Sequence, residues 1–351
     1  MNMTSFYQNR NFFGERGRPI YRIPSRRSIS FYGPENILQH KVMSFFDIVQ
    51  FERFGRLSGE YLLDQNGLIL IDESHNFIMI NNSWEDVVSR QVSDYVYNRD
   101  NQGHLLDALG SIKTMEVVQD CQILAHPYSH VYFHFIGDML PSLRFFDGLN
   151  DAPVLLDNGL LERSYQKQYL GRALGGKNVI PFSAPVRVID PWLAHSHFSD
   201  EAIGWLRQRM GFKTRSGPRR VYIKKRRITR VISGGGISES PEFLQFLDDH
   251  GFETIDFGDG STSIDDQVEL INNAHIVLYA HSSGGTNCMF LNGNVNIIEV
   301  TGPQIQYGIF AYMACVLGFH YHGVTSLELD ADGDIVVDMA ILQDVIRAIE
   351  S

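Results

Sequence analysis

At 351 residues the chain is long enough for about two domains, and with 44% hydrophobic and 20% charged residues it is too apolar and too evenly mixed to be disordered. A formal charge of −11 argues against a protein that coats nucleic acid, since phosphate binding needs bulk positive charge. The three cysteines, Cys121, Cys288 and Cys315, form no C-x-x-C pair, which argues against a disulfide framework and a zinc knuckle and favours a reducing compartment.

No stretch approaches the ~18 consecutive apolar residues of a membrane-spanning helix, and residues 1–18 lack the apolar core of a signal peptide. The expectation is an intracellular, cytoplasmic protein. Residues 1–40 are expected to form an irregular basic arm, because Arg10, Arg16, Arg18, Arg22, Arg26 and Arg27 outnumber Glu15 and Glu35 and no periodicity is sustained. A solvated arm is the simpler interpretation; peripheral contact with the inner face of a membrane through anionic head groups is the sharper one.

Further on, two apolar runs, Leu68 to Ile71 and Phe77 to Ile80, flank the polar stretch 72–76, as expected of paired strands. Pro153 to Leu156 and Val186 to Ile189 are predicted strands, with a helix from Glu162 to Leu174 ending at Gly175-Gly176. The rhythm repeats in the second half. Strands are predicted at Arg220 to Ile223, Thr254-Ile255, His275 to Tyr279 and Asn296 to Val300. Helices are predicted from Ser240-Pro241 to Leu247, with Ser240 as N-cap, and from Ile264 to Ile271. Strands alternating with helices predict parallel α/β sheets. Two Rossmann-like domains are expected, over 41–192 and 193–351, with the division between Asp190 and Phe198 and ligands at the carboxyl ends of the strands.

Three segments carry chemistry. In 130–141, His130, His134 and Asp138 are four residues apart, so a helix would place them on one face amid apolar neighbours. They suit a general base with its orienting partner, or a metal site; the bland alternative is a core histidine satisfied by the backbone, with Asp138 on a solvated edge. In 219–230, Arg219, Arg220, Lys224, Lys225, Arg226, Arg227 and Arg230 are expected to concentrate positive charge at the carboxyl end of a strand, where it can hold and neutralise a diphosphate. A nucleic-acid patch and a solvated strand end are the other interpretations. In 280–290, the turn His281-Ser282-Ser283-Gly284-Gly285 follows a strand and leads toward Asn287. Small residues and exposed N–H groups there favour an anion, although glycines at such turns are common for steric reasons alone. Ser233 to Gly236 is expected to be a flexible loop, and Glu299, at the end of the next strand, is placed to accept from ribose hydroxyls or to be an ordinary strand-end carboxylate.

The order of these motifs is more specific than any one of them. Residues 131–141 follow an N-Y-x-H-W-x-x-D-x-L-P pattern. Tyr222-Ile223-Lys224-Lys225 and Arg230 to Ser233 follow Y-I-S-R and R-x-x-N. Gly251-Phe252, Asp266-Gln267-Val268, the run from His281 to Phe290 and Ile298-Glu299-Val300 complete the series. Together they resemble the glycosyltransferase family 61 enzymes, also described as a domain of capsular-polysaccharide biosynthesis proteins, over roughly Gly67 to Val324. Lys225 stands where that family usually carries Arg, Ser282-Ser283 replaces Gly-Ala, and Ser233 replaces Asn. The resemblance implies a GT-B fold of two Rossmann-like domains facing a cleft. It also implies an inverting transfer from a nucleotide sugar, commonly UDP-linked, without an obligatory metal. On that basis Asp138 and His134 are expected on the acceptor side, as the proton-accepting pair. Lys225, Arg226, Arg230, His281, Ser282, Ser283, Gly284, Gly285, Asn287 and Glu299 are expected on the donor side. The acceptor would be a glycan or lipid-linked glycan. Two other classes remain: a non-catalytic nucleotide- or carbohydrate-binding module, and a metal-dependent hydrolase built on His130, His134 and Asp138.

Overall fold

The computed structural model describes residues 12–13, 19–23, 29–32, 53–56, 60–64, 67–71, 77–80, 116–124, 129, 131–149, 151–183, 186–195, 199–212, 219–225, 235–257, 263–303 and 308–351. The chain divides into two compact units, one formed by Gln50–Gly211 and the other by Met1–Val49 together with Phe212–Ser351.

Within the stretch expected to be irregular, three strands occur: β1 (Phe12–Phe13), β2 (Pro19–Ile23) and β3 (Ile29–Tyr32). This corrects the expectation at those positions. The apolar run in 29–32 is short, and it is held as a strand between β2 and an edge of the large sheet described below. Arg22 lies on β2, and the arm's other cations lie outside the described residues.

The central unit holds two five-stranded sheets. One runs β11-β10-β9-β13-β4, from Val179–Phe182 (β11), Val154–Asp157 (β10), Gln122–Leu124 (β9), Trp192–His195 (β13) and Arg53–Arg56 (β4). Its first four strands are parallel, and β4 pairs antiparallel at the edge. The other runs β7-β6-β5-β12-β8, from Phe77–Ile80, Gly67–Ile71, Glu60–Asp64, Val186–Ile189 and Val117–Gln119. The predicted pair of apolar runs is its β6–β7 hairpin, with Ile69 opposite Met79. Leu63, Val118, Cys121, Ile123, Leu155 and Val188 pack into one core. Burial pushes the Cys121 thiol up to about 12, which keeps it protonated and unreactive.

Helix α1 (Ser164–Ala173) ends before Gly175 and Gly176, both at positive φ, as the sequence predicts. Helix α2 (Asp200–Met210) starts on the Ser199 side chain, which accepts from Ala202 N at 3.1 Å, and ends on Gly211 at φ 62°. The division of the chain therefore follows α2 rather than falling between Asp190 and Phe198. The helix packs on 140–146 and on α1 with Ala202, Ile203, Leu206 and Met210 buried, and polar contacts orient it: Asp147 accepts from Trp205 Nε1 at 2.7 Å and from Arg209 at 2.6 Å, and Arg172 donates to the Met210 carbonyl at 3.1 Å.

The terminal unit is one eight-stranded sheet, ordered β1-β2-β3-β18-β17-β16-β14-β15. It adds β14 (Arg220–Lys224), β15 (Glu253–Asp256), β16 (Ile276–Ala280), β17 (Asn296–Thr301) and β18 (His320–Thr325). All strands from β3 to β15 are parallel. Counted from β14, the order is 2-1-3-4-5, the Rossmann-like pattern in which the winding reverses between strands one and three. The connections are α3 (Pro241–Asp249), α4 (Ile264–Ile271), a 3-10 helix at Ser283–Phe290 and α5 (Ile309–Leu317), with α6 (Met339–Glu350) closing the chain. Ser240 caps α3 as predicted, accepting from Phe243 N at 3.2 Å, and Pro241 takes the first helical position. Tyr222, Phe243, Leu278, Ile298, Leu342 and Val345 share one core.

The expected flexible loop at 233–236 is fixed where it is described. Gly236 N donates to Asp334 at 2.8 Å, and a Cβ on Gly235 would sit 2.3 Å from the Gly333 carbonyl oxygen. Gly235 is thus required by close backbone approach, not by flexibility. Gly235→Ala is expected to lower stability by about 1–3 kcal/mol through overpacking against backbone. Gly236→Ala, whose nearest neighbour is at 3.2 Å, should cost less. Urea unfolding of both variants measures the difference.

Candidate functional site

Each unit carries one cluster of the predicted residues. In the central unit, 131–146 is helical but not a regular α-helix. One α-turn, Tyr132–His134, passes into a π-helical turn, Phe135–Met139, and then into a 3-10 stretch, Leu140–Phe146. Such π turns within helices are rare and often mark functional positions. Here the turn still brings His134 and Asp138 together, with Nδ1 and Oδ2 2.6 Å apart. The Asp138 side chain is 11% exposed and that of His134 is 35% exposed, so the carboxylate is sunk and the imidazole is its link to solvent. Phe135, Ile136, Met139 and Leu140 are buried around the pair, and the Phe133 ring stands edge-on to His134 at 5.3 Å. Ser142 Oγ donates to the Asp138 carbonyl at 3.1 Å, holding the turn. A carboxylate and an imidazole in such contact can pass or hold a proton. His130 lies outside the described residues. Among the described residues no group of three or more His, Cys, Asp or Glu side chains is placed to hold a metal ion.

In the terminal unit, Lys225 follows β14 and His281 follows β16, the two strands between which the winding reverses. Lys225 Nζ donates to the His281 carbonyl at 3.0 Å, tying the two strand ends together. Burial pulls the Lys225 ammonium down to about 8, a shift that the charge of Asp334 partly opposes. The rest of the basic segment is distributed differently from the sequence expectation. Arg219 and Arg220 sit at the amino end of β14, where Arg220 pairs with Glu350 at 2.8 Å. Lys224 pairs with Glu239 at 2.7 Å. Arg226 and Arg230 lie outside the described residues.

Beyond β16, His281, Ser282 and Gly284 are half-buried and Ser283 is exposed, whereas Gly285 and Asn287 are buried. A Cβ on Gly285 would lie 2.6 Å from the Tyr279 ring, so this glycine answers a packing demand within the turn. Asn287 is buried, with its amide at 3.5 Å from Gln267 of α4, a long contact that faces the protein rather than an open surface. Glu299 is wholly buried: one carboxylate oxygen contacts Nδ1 of His281 and the other accepts from Tyr321. It is therefore not the surface acceptor for ribose hydroxyls that its position at a strand end suggests.

A cavity of about 470 Å³ opens on the carboxyl side of β14, lined in part by Tyr222, Lys225, Ser238, Glu239 and Asp334. Its acidic wall is largely committed to building a turn. Asp330 accepts from Asp332 N at 2.9 Å, Asp334 N at 3.0 Å and Ser238 Oγ at 2.7 Å, and Asp334 accepts from Gly236 N. Tyr321 carries no signal in the sequence, because it meets Glu299 only through the register of the folded sheet, whereas the 330–334 turn is closed by contacts two and four residues apart and reaches Ser238 and Gly236 only in the fold. Among the described residues no helix is long and apolar enough to cross a membrane.

The glycosyltransferase 61 family model matches residues 132–298, a span that begins at the helical turn of His134 and Asp138 and ends one residue before Glu299. No curated protein matches the chain. The helical pair, the β14 and β16 strand ends and the glycine turn all fall inside the matched span, and over that span the chain is similar to the glycosyltransferase 61 family.

Proposed function

We propose that the chain is an inverting glycosyltransferase of the GT-B type that moves a sugar from a UDP-linked donor to a hydroxyl of a glycan or lipid-linked acceptor, without a required metal. The carrying observation is the 2.6 Å contact between His134 and Asp138 within a buried, apolar helical turn of the family-matched span. Asp138, oriented by His134, takes the proton from the acceptor hydroxyl. The freed oxygen attacks the anomeric carbon while the bond to the diphosphate breaks.

Donor binding is assigned to the terminal unit, where Lys225 and the turn His281, Ser282, Ser283 and Gly284 meet at the reversal of the sheet winding, the usual ligand position in open α/β sheets. Arg226 and Arg230 are proposed to add charge there, and Gly285 and Asn287 to shape the turn from beneath. The developing charge on the diphosphate is offset by the ammonium and by backbone N–H groups of the turn, contacts that each commonly lower a barrier by ~3 kcal/mol. The proposed setting is the cytoplasm, with the basic stretch 1–40 reaching the inner face of a membrane that carries the acceptor.

Asp138→Asn is expected to lower transfer at least about a hundredfold while leaving UDP affinity intact. Near-normal turnover would remove Asp138 from the role, and wild-type UDP binding without any transfer would point to a non-catalytic binding module. Lys225 supplies a pH test. Its pKa of about 8 means that its charge is present below that value and lost above it. UDP affinity measured by calorimetry should therefore fall as pH rises from about 7 to about 9. In Lys225→Arg, whose guanidinium stays charged, the decline should flatten. An equal decline in both proteins would contradict the assignment.

A further inference from the structure

Glu299 lies within the parallel sheet, on β17, in register with Tyr279 of β16 and Gly323 of β18. Its side chain is 1% exposed. A carboxylate in such a place is costly unless its oxygens are hydrogen-bonded and a partner charge or donor is close. Both oxygens are used, one by His281 Nδ1 and the other by the Tyr321 hydroxyl. Burial, reinforced by the charge of Glu299, pushes the Tyr321 phenol well above its usual range, so it remains a proton donor to the carboxylate.

His281 is the member of this chain that reaches the surface, with 14% of its side chain exposed. Its ring is set edge-on against Phe310 of α5 at 5.3 Å, and its carbonyl is held by Lys225. A carboxylate accepting at Nδ1 keeps the imidazole proton on that nitrogen and fixes the ring plane. Nε2 is then the ring atom left to face outward, and among the described residues it has no hydrogen-bond partner.

We propose that Glu299 and Tyr321 are positioning residues that act through His281, so that Nε2 of a fixed tautomer meets the nucleotide donor at the start of the glycine turn. The ligand contact rests on the donor-site assignment above; the relay itself is a property of the protein alone. Glu299 never touches the ligand. Its effect on binding passes entirely through the ring it orients.

The test uses the full chain with ¹⁵N-labelled histidine, His281→Gln serving to identify the His281 resonances. Wild type is expected to carry the ring proton on Nδ1, Glu299→Gln to lose that preference and Tyr321→Phe, which takes one donor from the carboxylate, to weaken it. Calorimetry with UDP should show about fivefold weaker binding for Glu299→Gln, the worth of one neutral hydrogen bond. Adding Glu299→Gln to His281→Gln should weaken binding no further than His281→Gln alone, because the two act as one unit. A wild-type ring protonated on Nε2, or losses that add in the double variant, would overturn the proposal. If wild type binds no UDP, the donor-site assignment fails, and the spectra still decide the relay. If Glu299→Gln does not fold, Tyr321→Phe takes its place in the cycle with the same requirement of no further loss beside His281→Gln.

Discussion

The hydrogen bond from Lys225 Nζ to the His281 carbonyl joins the ends of two strands that lie side by side but are followed by connections going opposite ways. In a parallel sheet with right-handed crossovers, a 2-1-3-4-5 order sends the segments after β14 and β16 to opposite faces, and a crevice opens between them. The chain fills that position with an ammonium, a half-buried imidazole, two serines and a glycine turn. An ammonium pulled partly out of water has a strong reason to accept an anion, because its hydration has already been reduced by burial. Sheet topology, the side chains at strand ends and the binding chemistry are thus consequences of one reversal in winding.

The central unit handles charge in a different manner. Asp138 is sunk among Phe135, Ile136 and Met139, and its exposure to solvent is smaller than that of its partner His134. A π turn widens the helix by one residue per hydrogen-bonded ring, and it does so where the two side chains must meet. The apolar wall raises the cost of an unpaired carboxylate, and the imidazole contact offsets it. The same principle, on a fully sealed carboxylate, governs Glu299, where a tyrosine and a histidine share the task.

Much of this was legible in the sequence wherever local chemistry decides the structure. Ser240-Pro241 marks the start of α3 because capping and a fixed φ act over one turn, and Ile264 to Ile271 shows its helix through apolar spacing. The strands β10, β12, β14 and β17 declare themselves as apolar runs between breakers. Features that depend on distant partners were hidden. β3 is a strand because β18 offers it an edge, and α2 belongs with the central unit because its face of Ala202, Ile203, Leu206 and Met210 is buried there and Asp147 binds Trp205 and Arg209. In the site, the His134–Asp138 spacing was legible because it is four residues within one helical stretch. Glu299 was misplaced because a strand-end carboxylate looks alike whether it faces water or a tyrosine two positions away on the register of the next strand. The basic run was likewise misjudged at Arg219 and Arg220, since charge density along the chain does not say which end of a strand each cation occupies.

The central claim is that an anionic nucleotide binds where β14 and β16 end. Hydrogen–deuterium exchange of the full chain with and without UDP tests it directly. Slower exchange confined to the segments around 222–225 and 281–287 is the predicted result. Protection elsewhere in the chain with these two segments unchanged, under conditions where UDP is bound, would contradict it.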